Sequence, residues 1–183
     1  MYYLKKGGSS VRGDQPFFRC DITYKKMYRM EKILKCMYSP EHQMVWDSNL
    51  KSSEFIPLQE GKKSFGFTYT ANHKQFTIKS RDFYEKGFNF FHEGKFYRYS
   101  CSVRNSEEGR EVPKETVRGE TIYNMAIMYR DQEDDQKLKF SVVTQCDFKI
   151  NVPAFMLTSF LPKATKGWMD NINKYYAKSH KKM

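Results

Sequence analysis

Four histidines, four cysteines and two arginines at the start of strand-like segments are the side chains of this 183-residue chain whose types could do chemistry. His42, His73, His92 and His180 stand far apart, none at a metal-ligand spacing and none beside a candidate nucleophile. Cys20, Cys36, Cys101 and Cys146 include no Cys-x-x-Cys pair and have no histidine at zinc-finger spacing. No glycine-rich phosphate loop is present. These patterns give no catalytic residue, no metal site and no cofactor. Arg81 and Arg118 remain as polar candidates, because guanidinium donors match phosphate oxygens in geometry. The competing reading of each is a structural ion pair, for Arg81 with Asp82 or Asp47.

The elements that would position such groups can be read from periodicity. Tyr2-Tyr3-Leu4 and Pro16-Phe17-Phe18 read as strand material around a turn at Gly7 to Ser10. Met27, Met30, Leu34 and Met37 recur at helical steps on one face. Ser39-Pro40-Glu41 carries the signals of a second, short helix, which contains Trp46. From about Leu50 the period becomes two. Phe65, Phe67 and Tyr69 alternate with polar or small residues, as do Phe76 with Ile78 and Phe88 with Phe90. His92-Glu93-Gly94-Lys95 turns the chain into Tyr97, Tyr99, Cys101 and Val103, an antiparallel hairpin. Further strands carry Tyr123, Met125, Ile127 and Tyr129, then Leu138, Phe140, Val142 and Thr144. Met156, Phe160, Ala164, Trp168, Ile172 and Tyr176 follow at steps of four, an apolar stripe on a C-terminal helix that Asn151 could cap. Pro162 inside that stripe predicts a break or kink, with a short helix before it and a longer one after, since an interior proline costs about 3 kcal/mol. A curved sheet with one apolar face and one long amphipathic helix to cover it is an α+β arrangement.

Composition narrows the partners. Hydrophobic residues make up 39% and aromatic residues 16%, so the apolar material is concentrated in large rings and in 10 methionines. Such material suits a core and equally the wall of a cavity for a flexible apolar guest. The net charge of +11 implies an acidic partner: nucleic acid, an anionic membrane surface or an acidic protein. Scattered cysteines in apolar stretches read as a reduced, cytoplasmic protein, with two disulfides in an exported protein as the open alternative. No apolar run is long enough to span a bilayer, and no apolar stretch follows Lys5 and Lys6 as a signal peptide would require.

Four segments resemble the START (steroidogenic acute regulatory protein-related lipid transfer) domain family. They are Trp46-Asp47 after the early helices, Ser80-Arg81-Asp82-Phe83-Tyr84 before a central strand, Val117-Arg118-Gly119-Glu120 after a long loop, and Asp147 followed by Val152-Pro153 before the last helix. Their order and spacing agree with the family over about residues 10–178. The chain departs from it in reading Phe148-Lys149-Ile150-Asn151 where the family shows Gly-Gly, and in lacking the family's N-terminal helix. It also places Gly87 and Phe91 where phosphatidylcholine-selective relatives have Arg and Asp, so choline selectivity is not implied.

The resemblance implies a single domain over residues 1–183 with a helix-grip fold. In it a curved antiparallel sheet wraps around the long C-terminal helix, and a lipid lies in an internal cavity between them. It implies a non-enzymatic carrier of one lipid, a phospholipid first, that moves between membranes as a monomer without binding nucleic acid. The alternatives are a sterol or sphingolipid carrier and a basic module that binds nucleic acid or an acidic partner. Inward rows are expected at Phe67, Tyr69, Tyr97, Tyr99, Tyr123, Met125 and Ile127, faced by Phe155, Ser159 and Trp168 from the helix, with Arg81 and Arg118 for the phosphate. Residues 105–115 resemble the loop that gates the family's cavity. Residues 163–183 carry six lysines against one aspartate, beside Trp168, Tyr175 and Tyr176. Lys163, Lys166, Lys174 and Lys178 are thus the expected contacts for peripheral membrane docking.

Overall fold

The computed structural model describes residues 2–5, 17–24, 28–60, 62–74, 78–103, 109–150 and 154–180, and the side chains of all these except 2–5, 62–63, 154–161 and 180. Among the described residues, nine strands and three helices follow in chain order: β1 (Tyr2–Lys5), β2 (Phe17–Tyr24), α1 (Met30–Tyr38), α2 (Pro40–Trp46), β3 (Leu50–Gln59), β4 (Lys62–Asn72), β5 (Ser80–His92), β6 (Lys95–Ser102), β7 (Thr116–Arg118), β8 (Glu120–Arg130), β9 (Leu138–Asp147) and α3 (Ala154–His180). The strands form one sheet in the order β1-β2-β9-β8-β6-β5-β4-β3, antiparallel throughout. β7 lies off that path and pairs with the start of β5 in parallel. The β5–β6 hairpin turns at Glu93 (φ 48°) and Gly94 (φ 70°), the two consecutive positive-φ residues that match a two-residue turn to the twist of its strands.

Register divides the sheet into two faces. Ile22, Phe140, Met128 and Phe96 stand side by side across β2, β9, β8 and β6. This row packs with Leu138 and Tyr24 under Met169, Ile172 and Tyr176 of α3, and with Ile33, Leu34 and Met37 of α1, to make the main core. α2 joins through Trp46, whose indole donates to the Cys36 carbonyl at 2.7 Å and meets Trp168 edge-on at 5.4 Å. Tyr28 meets Tyr176 at 4.4 Å, and His42 Nδ1 is 2.6 Å from the Tyr175 hydroxyl. The C-terminal two-thirds of α3 is thus fastened to both short helices.

α3 runs unbroken through Pro162, against the expected break. A proline removes one backbone donor and tilts the preceding turn, and packing of the later turns supplies the offset. Ser39 and Pro40 open α2 as expected, although the Ser39 side chain makes no cap bond to the backbone. Met27, Phe76 and Asn151 lie outside the described residues. All four cysteines are free thiols, which removes the two-disulfide alternative. Burial pushes the Cys20 thiol up to about 11. No described helix is long and apolar enough to cross a membrane.

Candidate functional site

The helix-facing side of the sheet changes character along the strands. At the end beneath Met169 and Ile172 it is apolar and closely packed. Two residues further along, the cross-strand row reads Cys20, Val142, Ala126, Arg98, Asn89, and the next reads Phe18, Thr144, Asn124, Ser100, Gly87, Gly66. Glu85 and Ser102 form a pair beyond that, and Thr68 lies across from Glu85 on β4. Apart from Phe18 on β2, the side chains of these rows are small or polar. α3 starts over it, because the helix follows Asp147 and Lys149 at that end of the sheet and leaves over Tyr24 and Leu138 at the other.

Arg98 is the most consequential side chain of this strip. Only 9% of it is exposed. Its guanidinium lies 4.7 Å over the Tyr38 ring and donates to Asn89 Oδ1 at 3.1 Å and to Thr68 Oγ1 at 3.4 Å. Among the described residues it has no carboxylate partner. Burial pushes Tyr38 up to about 12, against the opposing pull of Arg98, so Tyr38 contributes a neutral ring and no counter-charge. A buried charge held by neutral acceptors alone carries a desolvation cost that an anion would relieve. Nearby, Ser100 is fully buried, and Asn124 Nδ2 reaches its hydroxyl at 3.4 Å. Thr144 and Thr121 contact Cys146, whose thiol burial pushes up. Glu85 has no ion-pair partner among the described residues.

The two arginines singled out by sequence are engaged elsewhere. Arg118 clamps Asp82 through two bonds of 2.8 and 2.9 Å, and Asp82 is fully buried. Arg118 also donates to the carbonyls of Arg110 and Glu111, which fixes the end of the long loop. Arg81 donates to the carbonyls of Lys79, Phe148 and Lys149 and so ties β5 to the approach to α3. Arg118 thus makes the ion pair of its competing reading, with Asp82, whereas Arg81 makes carbonyl hydrogen bonds and no ion pair among the described residues.

The expected inward rows face the other way. Tyr97, Tyr99, Met125 and Ile127 line an open groove of about 980 Å³ on the side of the sheet opposite α3. Tyr123 lies on that side too, with its ring 5.5 Å from Phe17. Phe67 and Tyr69 are buried there in a satellite cluster with Ala71 and Tyr84. Arg110 covers Tyr69 at 3.9 Å, and Asp82 bonds its hydroxyl, so burial and then this carboxylate raise the Tyr69 pKa. Pairing tyrosines with the helix shifts the pleat by one residue, and a one-residue shift exchanges every side chain between faces. Trp168 does face the sheet side, against Trp46. Phe155 and Ser159 belong to α3, with side chains outside the described set. Lys163, Lys166, Lys174 and Lys178 are exposed, and Lys166 pairs with Asp170 at 2.8 Å. Residues 104–108 of the long loop are outside the description, and 109–115 are exposed.

Sequence reasoning missed Arg98, Asn89, Ser100 and Asn124. The available signal was their phase: Phe96 and Arg98 lie two apart on β6, so any face that buries the first also holds the second.

No family model and no curated protein sequence matches the chain. Solved structures do. Human StAR-related lipid transfer protein 5 superposes with a TM-score of 0.77 at 16% identity, over 98% of this chain and 88% of that one. Human STARD10 gives 0.74 at 16% identity, over 98% and 76%. A STAR-related lipid transfer protein from Xanthomonas axonopodis gives 0.67 at 12% identity, over 96% and 98%. Over nearly its whole length the chain therefore has the START-like helix-grip fold.

Proposed function

We propose that this protein is a carrier that holds one lipid between the polar half of the sheet and the first turns of α3, with a phospholipid or other acidic lipid as cargo. The observation that carries this reading is the burial of Arg98 without a carboxylate partner among the described residues, on the face that α3 covers. An anionic headgroup would complete its charge-assisted hydrogen bonds, with Asn89, Ser100 and Asn124 offering neutral ones beside it. Burial of the acyl chains would supply the affinity, at about 0.8 kcal/mol per methylene. Release requires docking to a bilayer, for which the exposed lysines 163, 166, 174 and 178 of α3 are suited. Two of the similar structures named above are StAR-related lipid transfer proteins, and carriage needs no reacting group.

Native mass spectrometry of the purified chain, followed by lipid extraction, tests the proposal. One lipid per chain is expected, acidic in its headgroup, and its adduct is lost in Arg98→Met. A lipid-free mass that persists after incubation with vesicles of mixed phospholipids would overturn it.

A further inference from the structure

The groove opposite α3 is the least expected surface of the molecule. Two ladders of side chains cross the strands there: Val143, Met125, Tyr99, Phe88, Phe65 in one row and Ile127, Tyr97, Phe90 in the next. Phe88 is 42% exposed, Phe90 46% and Met125 54%. Ring packing fixes their positions: Phe90 stacks on Tyr97 at 4.9 Å, and Phe88 lies 6.0 Å from Phe90 and 5.6 Å from Tyr99. A surface already held in place gives up little side-chain freedom when it is covered. Exposed contiguous apolar surface of this kind marks an interaction site.

The charge around the ladders selects the partner. The chain as a whole carries +11. On this face, however, Arg19 pairs with Asp21, Lys139 with Asp131 and Lys137 with Asp134, each at 2.9 Å. A nucleic acid or an anionic bilayer would be met by unbalanced cations, and those lie elsewhere, on α3 for example. Two copies of a strongly basic chain can approach closely only where the local charge cancels, and this face is such a place.

We propose that two copies of this chain pair through this face, about a two-fold axis that runs along the strands between β6 and β8. That operation lays β6 of one copy over β8 of the other, so that Tyr99 meets Met125, Tyr97 meets Ile127 and Phe88 meets Val143, ring against aliphatic in both directions. It also brings Lys95 towards the partner's loop at 131–135. Lys95 and Glu133 have no ion-pair partner within the chain among the described residues, and they complement each other across the axis. A two-fold axis perpendicular to the strands would instead lay that acidic loop over Tyr123 and Gln145. Six strands spaced ~4.8 Å apart and four rows of side chains give a contact of roughly 500 Å² per copy. About 1,000 Å² in total is the lower edge for a specific interface, so the dimer is a reversible one that depends on concentration. The sequence reading expects a monomer, and the proposal departs from it.

Analytical ultracentrifugation of the full chain over a concentration series tests the pairing. A monomer–dimer equilibrium is expected, weakened about tenfold or more in Phe88→Thr/Phe90→Thr. Lys95→Glu should also weaken it, and Lys95→Glu/Glu133→Lys should restore it. Lipid loading should be unchanged in all of these, because none of the altered side chains faces α3, so failure of pairing and failure of carriage are read separately. A monomer at every concentration would overturn the proposal. So would a dimer indifferent to Phe88→Thr/Phe90→Thr, or a monomer whose binding to anionic phospholipid vesicles depends on Phe88.

Discussion

Met125 and Met128 stand three residues apart on β8, one 54% exposed and the other fully buried. They sample the two sides of one sheet. On the side of Met128, α1, α2 and α3 cover an apolar end and a polar strip that contains Arg98. On the side of Met125, large rings stand in the open, and only the satellite cluster around Tyr69 is closed. The covered face thus joins the main apolar core to a polar strip, while the bare face is largely aromatic. On the proposed function the polar strip faces the lipid, and on the proposed pairing the exposed rings face a second copy.

That contrast can be broken by substitution. The largest effect is expected at the ion pair of Arg118 with the fully buried Asp82 on the aromatic side: Arg118→Ala takes the cation from that carboxylate and should cost about 3–5 kcal/mol in denaturant unfolding. Next come the two methionines. Met128→Ala should cost about 2–5 kcal/mol, while Met125→Ala stays within about 0.5 kcal/mol; equal losses by urea titration would show that the two faces are not distinct. Arg98→Met should leave the unfolding midpoint unchanged or raised while lipid uptake from vesicles falls. A clear loss of stability would make Arg98 a structural cation. The smallest effect concerns His42, whose pKa is held below 6.5 by partial burial and then by Lys35. The unfolded chain then takes up a proton before the folded one, so stability should fall as pH drops through 6.5 and level off below the folded value. In His42→Gln the thermal midpoint should lose that part of its pH dependence.

Much of this architecture was legible. The alternation in β6, β8 and β9 and the Glu93-Gly94 turn depend on local chemistry and stand where periodicity placed them. Of the α3 stripe, Ile172 and Tyr176 are buried and Trp168 is partly buried, Ala164 is exposed, and the side chains of Met156 and Phe160 lie outside the described set. What was not legible is which face of each strand the helix takes. Period two makes a strand two-sided without labelling the sides. Tyr97 and Tyr99 were assigned inward because rings are usually buried, while Phe96 and Arg98 are the residues that turn towards α3. The roles of Arg81 and Arg118 escaped for a related reason, since their partners, the Phe148 carbonyl and Asp82, lie far along the chain. Propensity alone breaks the helix at Pro162, and the Trp46–Trp168 and Tyr28–Tyr176 contacts that hold its later turns join residues far apart in the chain.

The pairing of β2 with β9 sets Phe18 against Thr144 and Tyr24 against Leu138. During synthesis β2 leaves the ribosome well before its neighbour β9, with β3 to β8 made between them. The meander from β3 to β6 can close on itself in the meantime, through pairings between strands adjacent in sequence. β2 meanwhile has β1 on one side, and its other edge stays open until β9 has been made. The nascent protein therefore carries an uncovered strand edge throughout the synthesis of β3 to β9, the state in which a chain most needs a chaperone's protection from aggregation.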